Sequence, residues 1–458
     1  MEVLEEQIAR WREYLARRQA IHSVDVAELE DHLRERIASL MDAGLAPDEA
    51  FLVAVKRMGE LDALSREFAR EHSERLWKQL VISSADIGGD EPAARKDAMV
   101  AFGLAAAAVL LFKLPALFGF GLEGGNENAY ARNYSFFVLP LLVGYFTWKR
   151  GLPDTGEQAL RRTTLGWIAA GFAAALVFAN VYPFRTGGNT EVLTVIHLPI
   201  ALWLLVGIAY AGARWSEVSG RMDFIRFSGE LFIYFVLLAL GGGLVMASTF
   251  GIFGLIGIDP EPYVETWLPA GPLAGVIVAS WLVEAKQSVV ENIAPVLTRL
   301  FSPLFAAVLL AFLGALVFTG RGIAIEREAL ILFDLLLLLV LCLLLYSLSA
   351  RDPQAHAGPF DIVQIVLVVS ALLADAVALS AIAARITEFG FTPNRVAALG
   401  MNVILLVNLA WSAVLYLRFL RGRGSFAAIE RWQTSYLPVY AGWAALVVIV
   451  FPPLFGFI

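Results

Sequence analysis

Eleven apolar runs, most of them about 20 residues long, follow one another from about residue 98 to the end of the chain. A helix of roughly 20 residues crosses the hydrocarbon of a bilayer, and a helix satisfies all its own backbone polar groups there. The runs lie at about 98–122, 134–148, 163–183, 192–213, 229–258, 267–283, 303–319, 329–348, 361–383, 396–417 and 436–457. The second is short. The fifth is long enough to tilt, or to break at Gly241-Gly242-Gly243, where close helix packing or a hinge is expected. Apolar residues make up 58% of the chain and charged ones 17%, against about half and a quarter in soluble domains. The expected fold is all-α: a polytopic transmembrane bundle of about eleven spans over residues 98–458, a linker over 81–97, and a soluble four-helix domain over 1–80.

The charge is confined to one end. Residues 1–97 hold 14 Lys and Arg against 21 Asp and Glu, which is the whole formal net charge of −7. An acidic head is a poor nucleic-acid binder, because phosphate binding needs clustered cations. The bilayer itself is the expected partner, with a homo-oligomer compatible. The single cysteine, Cys342, lies in an apolar run and is expected to be inert packing. Met1-Glu2-Val3-Leu4-Glu5-Glu6 is acidic and amphipathic rather than basic then apolar, so the first span is expected to serve as targeting signal.

Within the head, apolar residues recur every three or four positions, the mark of one buried helix face. Leu4, Ile8, Trp11 and Leu15 form one stripe; Val26, Leu29, Leu33, Ile37 and Leu40 a second. Phe51, Val55 and Met58 form a third; Leu61, Leu64 and Phe68 a fourth. Asp25 three residues before Glu28 reads as a capping box, Gly44 as a helix stop and Pro47 as a start. Ser83-Ser84, Gly88-Gly89 and Glu91-Pro92 break the periodicity and mark the linker.

Loop charge sets the orientation. With the N-terminus inside, the inner loops carry fourteen Lys and Arg against six outside. The expectation is a cytoplasmic N-terminus, an external C-terminus and a multi-pass protein of the inner membrane.

Polar groups inside the spans are the candidate site, since an ionisable group in hydrocarbon is expensive and faces the bundle interior or a water-filled cavity. The run before the turn at 385–395 carries Asp375, and the run after it carries Asn402 and Asn408. Lys113, His197 and Asp334 stand at similar outer depth in other spans. An outward-open pocket of Lys113, His197, Asp334, Asp375, Asn402 and Asn408 is expected, with Lys113 pairing an aspartate. Arg385, Thr392, Asn394 and Arg395 would form its rim. The alternative is that each group bonds its own neighbour and merely holds helices together. On the inner side, Arg226 and Glu230 are spaced for a helical ion pair, with Glu230 partly buried and meeting a second basic residue. No nucleotide loop, zinc motif or nucleophile elbow is present, so no catalytic residue, cofactor or metal is assigned. Asp334 and Asp375 sit in no aspartyl-dyad motif.

Gly44-Leu45-Ala46-Pro47-Asp48-Glu49-Ala50-Phe51, then Ala54 and Arg57-Met58-Gly59, resembles the helical permease prefix domain and is similar to the HTH-associated helical signalling (HAAS) domain. The resemblance covers about residues 5–75 and implies a cytoplasmic coupling role with a protein partner. His197-Leu198-Pro199 with Leu202-Trp203, Phe224–Glu230 and Gly390–Arg395 resemble a polytopic bacterial membrane family known only as a domain of unknown function. That likeness implies architecture and no activity. Two functions are expected from these features: a membrane sensor whose outer pocket signals to the head, or a secondary transporter, proton-coupled through Asp375.

Overall fold

The computed structural model describes residues 8, 23–42, 47–57, 91–122, 125–150, 158–255, 257, 259–285, 293–319, 327–351, 355 and 357–458. The chain divides into two compact units, Met1–Glu91 and Pro92–Ile458. Every regular element among the described residues is helical.

In the first unit, α1 (Ser23–Asp42) packs on α2 (Pro47–Arg57). Leu33 and Ile37 of the second stripe are buried, as are Ala50 and Ala54. Of the third stripe, Phe51 is half-buried, while the Val55 side chain and Met58 lie outside the described residues. Helix α1 starts at Ser23, two residues before the expected cap at Asp25, and ends before Gly44. Pro47 opens α2, where its missing N–H is no loss. The first and fourth stripes lie outside the described residues, Ile8 apart.

The boundary falls within the first turn of α3 (Glu91–Lys113), whose first turns occupy the end of the expected linker and whose remainder opens the second unit. It continues through α4 (Glu127–Asn133), α5 (Leu139–Lys149), α6 (Gln158–Val181), α7 (Asn189–Ala211) and α8 (Val218–Leu255). Then come α9 (Glu261–Trp267), α10 (Gly271–Ala285), α11 (Ile293–Thr319), α12 (Arg327–Ser349) and α13 (Pro359–Phe389). The last are α14 (Pro393–Leu420), α15 (Phe426–Ile449) and α16 (Phe451–Leu454). Nine helices among the described residues are long and apolar enough to cross a membrane, which by length and composition makes this a multi-pass membrane protein. The expected spans at 134–148 and 436–457 are not among the nine. The first is a single turn of 3-10 helix, Tyr134–Phe137, followed by the 11 residues of α5. The second is displaced, since its helix starts ten residues earlier, at Phe426, and takes in Glu430, Gln433 and Thr434.

Two apolar cores organise the unit. One joins α3, α5, α7, α8 and α10 around Phe112, Tyr145, Phe146, Leu202 and Phe227. The other joins α11 to α15 around Leu337, Leu344, Val368, Leu409 and Tyr416. Helix α7 packs against both α5 and α15, linking the two.

Helix α8 runs unbroken for 38 residues, about 57 Å at 1.5 Å per residue. Gly241, Gly242 and Gly243 lie within it, and a methyl added to any of them would meet nothing within 4 Å, so they neither pack closely nor break the helix. Backbone groups in hydrocarbon have only each other as partners, which holds even a glycine triplet helical. Leu240, Leu244 and Leu255 around that stretch are 66%, 71% and 88% exposed, a lipid-facing surface.

Prolines are accommodated individually. Pro453 removes the N–H that the Ile449 carbonyl would accept, and the Tyr182 hydroxyl donates to that carbonyl instead at 2.8 Å. Pro269 sits in a 3-10 turn, its carbonyl taken by the Tyr134 hydroxyl at 2.7 Å. Cys342 is exposed on α12 rather than packed.

Candidate functional site

Among the described residues, the most deeply buried acid sits on α13, which packs against α11, α12 and α14. This is Asp375, fully buried. The Asp334 carboxylate of α12 is within electrostatic reach of it. Asn402 of α14, also fully buried, donates its Nδ2 to Asp334 Oδ1 and to the Ala398 carbonyl, both at 2.8 Å.

The packing around these three residues explains why they meet. Leu330, Ala378, Ala381, Ile382 and Ala398, about one turn to one side, form an apolar cluster of the same three helices. Leu337, Ala371, Ala374 and Leu405, on the other side, belong to the second core. Residues three or four apart share a helix face, so Asp334, Asp375 and Asn402 form a polar layer between two apolar ones. Small residues at 371, 374 and 378 let the backbones approach. Both oxygens of Asp375 and Oδ1 of Asn402 are buried without a donor. An ionised carboxylate in that position would be an uncompensated charge in the bundle interior. Asp334 is only half-buried, so the pair has one accessible and one enclosed member.

The other expected pocket residues lie elsewhere. Asn408 forms a reciprocal amide pair with Gln433 of α15, at 3.0 and 3.1 Å, and Gln433 Nε2 also donates to Ser412 Oγ at 2.6 Å. This clamp joins α14 to α15 and does not face Asp375. Lys113 donates to the Thr266 carbonyl and lies over the Trp267 ring, 4.9 Å from its centroid; its partner is a carbonyl, not an aspartate. His197 Nδ1 is 2.8 Å from the Leu193 carbonyl one turn back on its own helix.

The expected rim is a helix–turn–helix joint. Thr392 caps α14, accepting from the Arg395 N–H at 3.4 Å. The Arg395 guanidinium donates to the Phe389 and Gly390 carbonyls at 3.0 and 2.9 Å, placing a cation at the end of α13. Gly390 takes the left-handed φ of 77° that the turn needs. Asn394 donates to Asn189 Oδ1 at 2.8 Å, tying the joint to α7. Arg385 is half-buried near the end of α13.

A second polar site lies where α5, α7 and α10 end and α8 begins. A cavity of about 230 Å³ is lined by Arg150, Tyr210, Arg214, Asp223, Arg226, Phe227, Glu230 and Val283. Arg226 donates to the Ser349 carbonyl through Nε, at 2.9 Å, and through Nη2. Glu230, 4% exposed, shares the cavity with all three arginines. Arg150 pairs with Glu284 at 2.6 Å and stacks on Tyr210, 3.6 Å from its centroid. Arg214 pairs with Asp223 at 2.9 Å. Sequence reasoning reached Arg226 and Glu230 from their spacing. It missed Arg150 and Arg214, which read as ordinary inner-loop charges, and Glu284, which ends a span.

Two ion pairs, each between a half-buried arginine and a buried acid, were equally invisible in sequence. Arg132 holds Glu191, which also accepts from the Gly187 N–H at 2.7 Å. Arg351 holds Asp361, whose second oxygen accepts from the Gly358 N–H at 2.8 Å and caps α13. Among the described residues, no three His, Cys, Asp or Glu side chains are grouped to hold a metal ion. No family model, curated protein or solved structure matches the chain.

Proposed function

We propose that the chain is an inner-membrane sensor in which the protonation state of the Asp334–Asp375–Asn402 layer is passed, as a helix shift, to the cytoplasmic helical head. One observation carries this reading: the Asp375 carboxylate is enclosed without a donor beside a second carboxylate. Two acids so placed cannot both ionise without large repulsion in a low dielectric. Gain or loss of one proton therefore changes how tightly α12, α13 and α14 pack. The likeness of residues 44–59 to signalling prefixes supports the head as output, through a cytoplasmic protein partner. Counting the short 134–149 segment, the 3-10 turn with α5, and α15 as further crossings gives eleven spans, a cytoplasmic N-terminus and an external C-terminus, in line with the loop charges.

Cys342 on α12 supplies a test in the otherwise native chain. A fluorophore there should change signal between acid and alkaline pH, and Asp375→Asn should flatten the response. A pH-insensitive wild-type signal, or an unchanged response in the variant, removes the proposal. Deleting residues 1–80 should abolish the cellular output while leaving the fluorescence response in place.

The half-buried Asp334 beside the enclosed Asp375 favours a second reading, a proton-coupled secondary transporter, because a proton relay needs an accessible and an enclosed member. Solute flux in proteoliposomes that collapses in Asp375→Asn would select this reading over the sensor.

A further inference from the structure

The C-terminal end of α14 carries a cluster of cations set apart from the aspartate layer. Arg418, Arg421 and Arg423 fall within six residues, and all three are exposed. Among the described residues, no side chain pairs with their guanidiniums. No acid occurs in the sequence between Glu388 and Glu430. Arg351, which lies over the Phe419 and Phe426 rings beside this turn, is itself matched by Asp361. The helix dipole favours a cation at this end, but its charge of about half an electron balances only part of one arginine.

The backbone holds the cluster in one shape. Gly422 takes a left-handed φ of 65°, open to glycine without a Cβ penalty. The Arg423 N–H donates to the Arg418 carbonyl at 2.9 Å, and the Gly422 N–H to the Phe419 carbonyl at 3.0 Å. These two bonds make the Schellman closure of a helix. The backbone of all three arginines is thereby ordered before any ligand arrives, which lowers the cost of binding one.

An apolar stripe leads up to the arginines. Val403, Val407, Trp411 and Val414 of α14 are 44%, 48%, 46% and 40% exposed. Their spacing of four, four and three continues to Arg418 and Arg421, so one helix face changes from apolar to cationic. Val407 stands at the middle of the 28-residue helix. From Val407 to Arg418 is about 16 Å along the axis, against about 15 Å for one leaflet of hydrocarbon. The arginines therefore reach headgroup depth, with room for an acyl chain along the stripe.

We propose that this face of α14 binds an anionic phospholipid, its phosphate on the arginine cluster and an acyl chain along Trp411 and Val414. Charge selects the occupant. Guanidiniums pair bidentately with phosphate, and a zwitterionic headgroup brings its own ammonium to an already cationic place. In the test, the intact chain is reconstituted into vesicles of equal phosphatidylglycerol and phosphatidylethanolamine and re-extracted in detergent. Its retained lipid is then weighed by native mass spectrometry. Phosphatidylglycerol should be preferred by about tenfold or more, since each arginine near an anionic headgroup is worth about fivefold. Arg418→Gln, Arg421→Gln and Arg423→Gln should each lower the preference by about that factor, and the triple variant should be blind to headgroup. The single variants decide the matter if the triple one does not fold. Arg95→Gln, which removes an exposed cation at the start of α3, should leave the preference unchanged. An equal loss in Arg95→Gln would show a diffuse field in place of a site and overturn the proposal. So would equal retention of the two lipids by the wild type, or wild-type preference in all three single variants.

Discussion

At the scale of single residues, the polar groups in the spans divide into those with complete hydrogen bonds and those without. The Asn408–Gln433–Ser412 clamp is complete. Removing one member strands the others, so Gln433→Ala should destabilise by about 1–3 kcal/mol. Replacing both amides together, Asn408→Leu with Gln433→Leu, should recover most of that loss, as measured by thermal unfolding in detergent. Asp375 is the opposite case, with no bond to lose. Asp375→Asn should leave thermal stability at neutral pH within about 1 kcal/mol of wild type or above it, because the change removes a carboxylate that has no donor. A loss of several kcal/mol would mean that the carboxylate holds the helices together. The depth of Asp375, Asp334 and Asn402 was legible from sequence, since a polar residue in an apolar run stands out. Depth grouped all six expected pocket residues together, and the separation of Lys113, His197 and Asn408 from the other three was not legible. Depth is a coordinate along one helix, whereas contact depends on how each helix is rotated about its axis.

Among the elements, glycines separate helices that face neighbours from those that face lipid. A methyl on Gly400 of α14 would run into the Trp443 ring of α15, and one on Gly207 of α7 would lie 2.6 Å from the Phe224 ring of α8. A methyl on Gly242 would have nothing within 4 Å. Gly400→Ala should therefore destabilise by about 1–3 kcal/mol through overpacking. Gly242→Ala should stabilise α8 by up to about 1 kcal/mol through helix propensity. The two melting temperatures should move in opposite directions. All of these glycines look alike in sequence, because the space beside a helix belongs to its neighbour. Element boundaries followed hydropathy where spans were uniformly apolar. They failed at α15, whose first turns bury Gln433 and Thr434 in polar contacts that hydropathy scores as loop.

For the whole molecule, orientation makes a prediction that labelling can check. The α13–α14 joint and the α14–α15 turn lie at opposite ends of α14. In a Cys342→Ser background, Thr387→Cys should react with a membrane-impermeant thiol reagent in intact cells. Ser425→Cys should react only after permeabilisation. The reverse pattern would invert the topology and place the sensor's output on the wrong side.

The sequence alone determined that the chain is helical, that most of it belongs in hydrocarbon, and which few polar side chains are costly there. Those properties follow from local composition and period, because burial of apolar length and backbone self-satisfaction do not depend on which helix is the neighbour. Only the tertiary structure decided that Asn402 bonds Asp334 within electrostatic reach of Asp375, that Asn408 belongs to Gln433, and that Arg150, Arg214 and Arg226 share a cavity with Glu230. Each of these rests on helices far apart in the chain packing with particular faces together, which side-chain fit selects and helical periodicity does not encode.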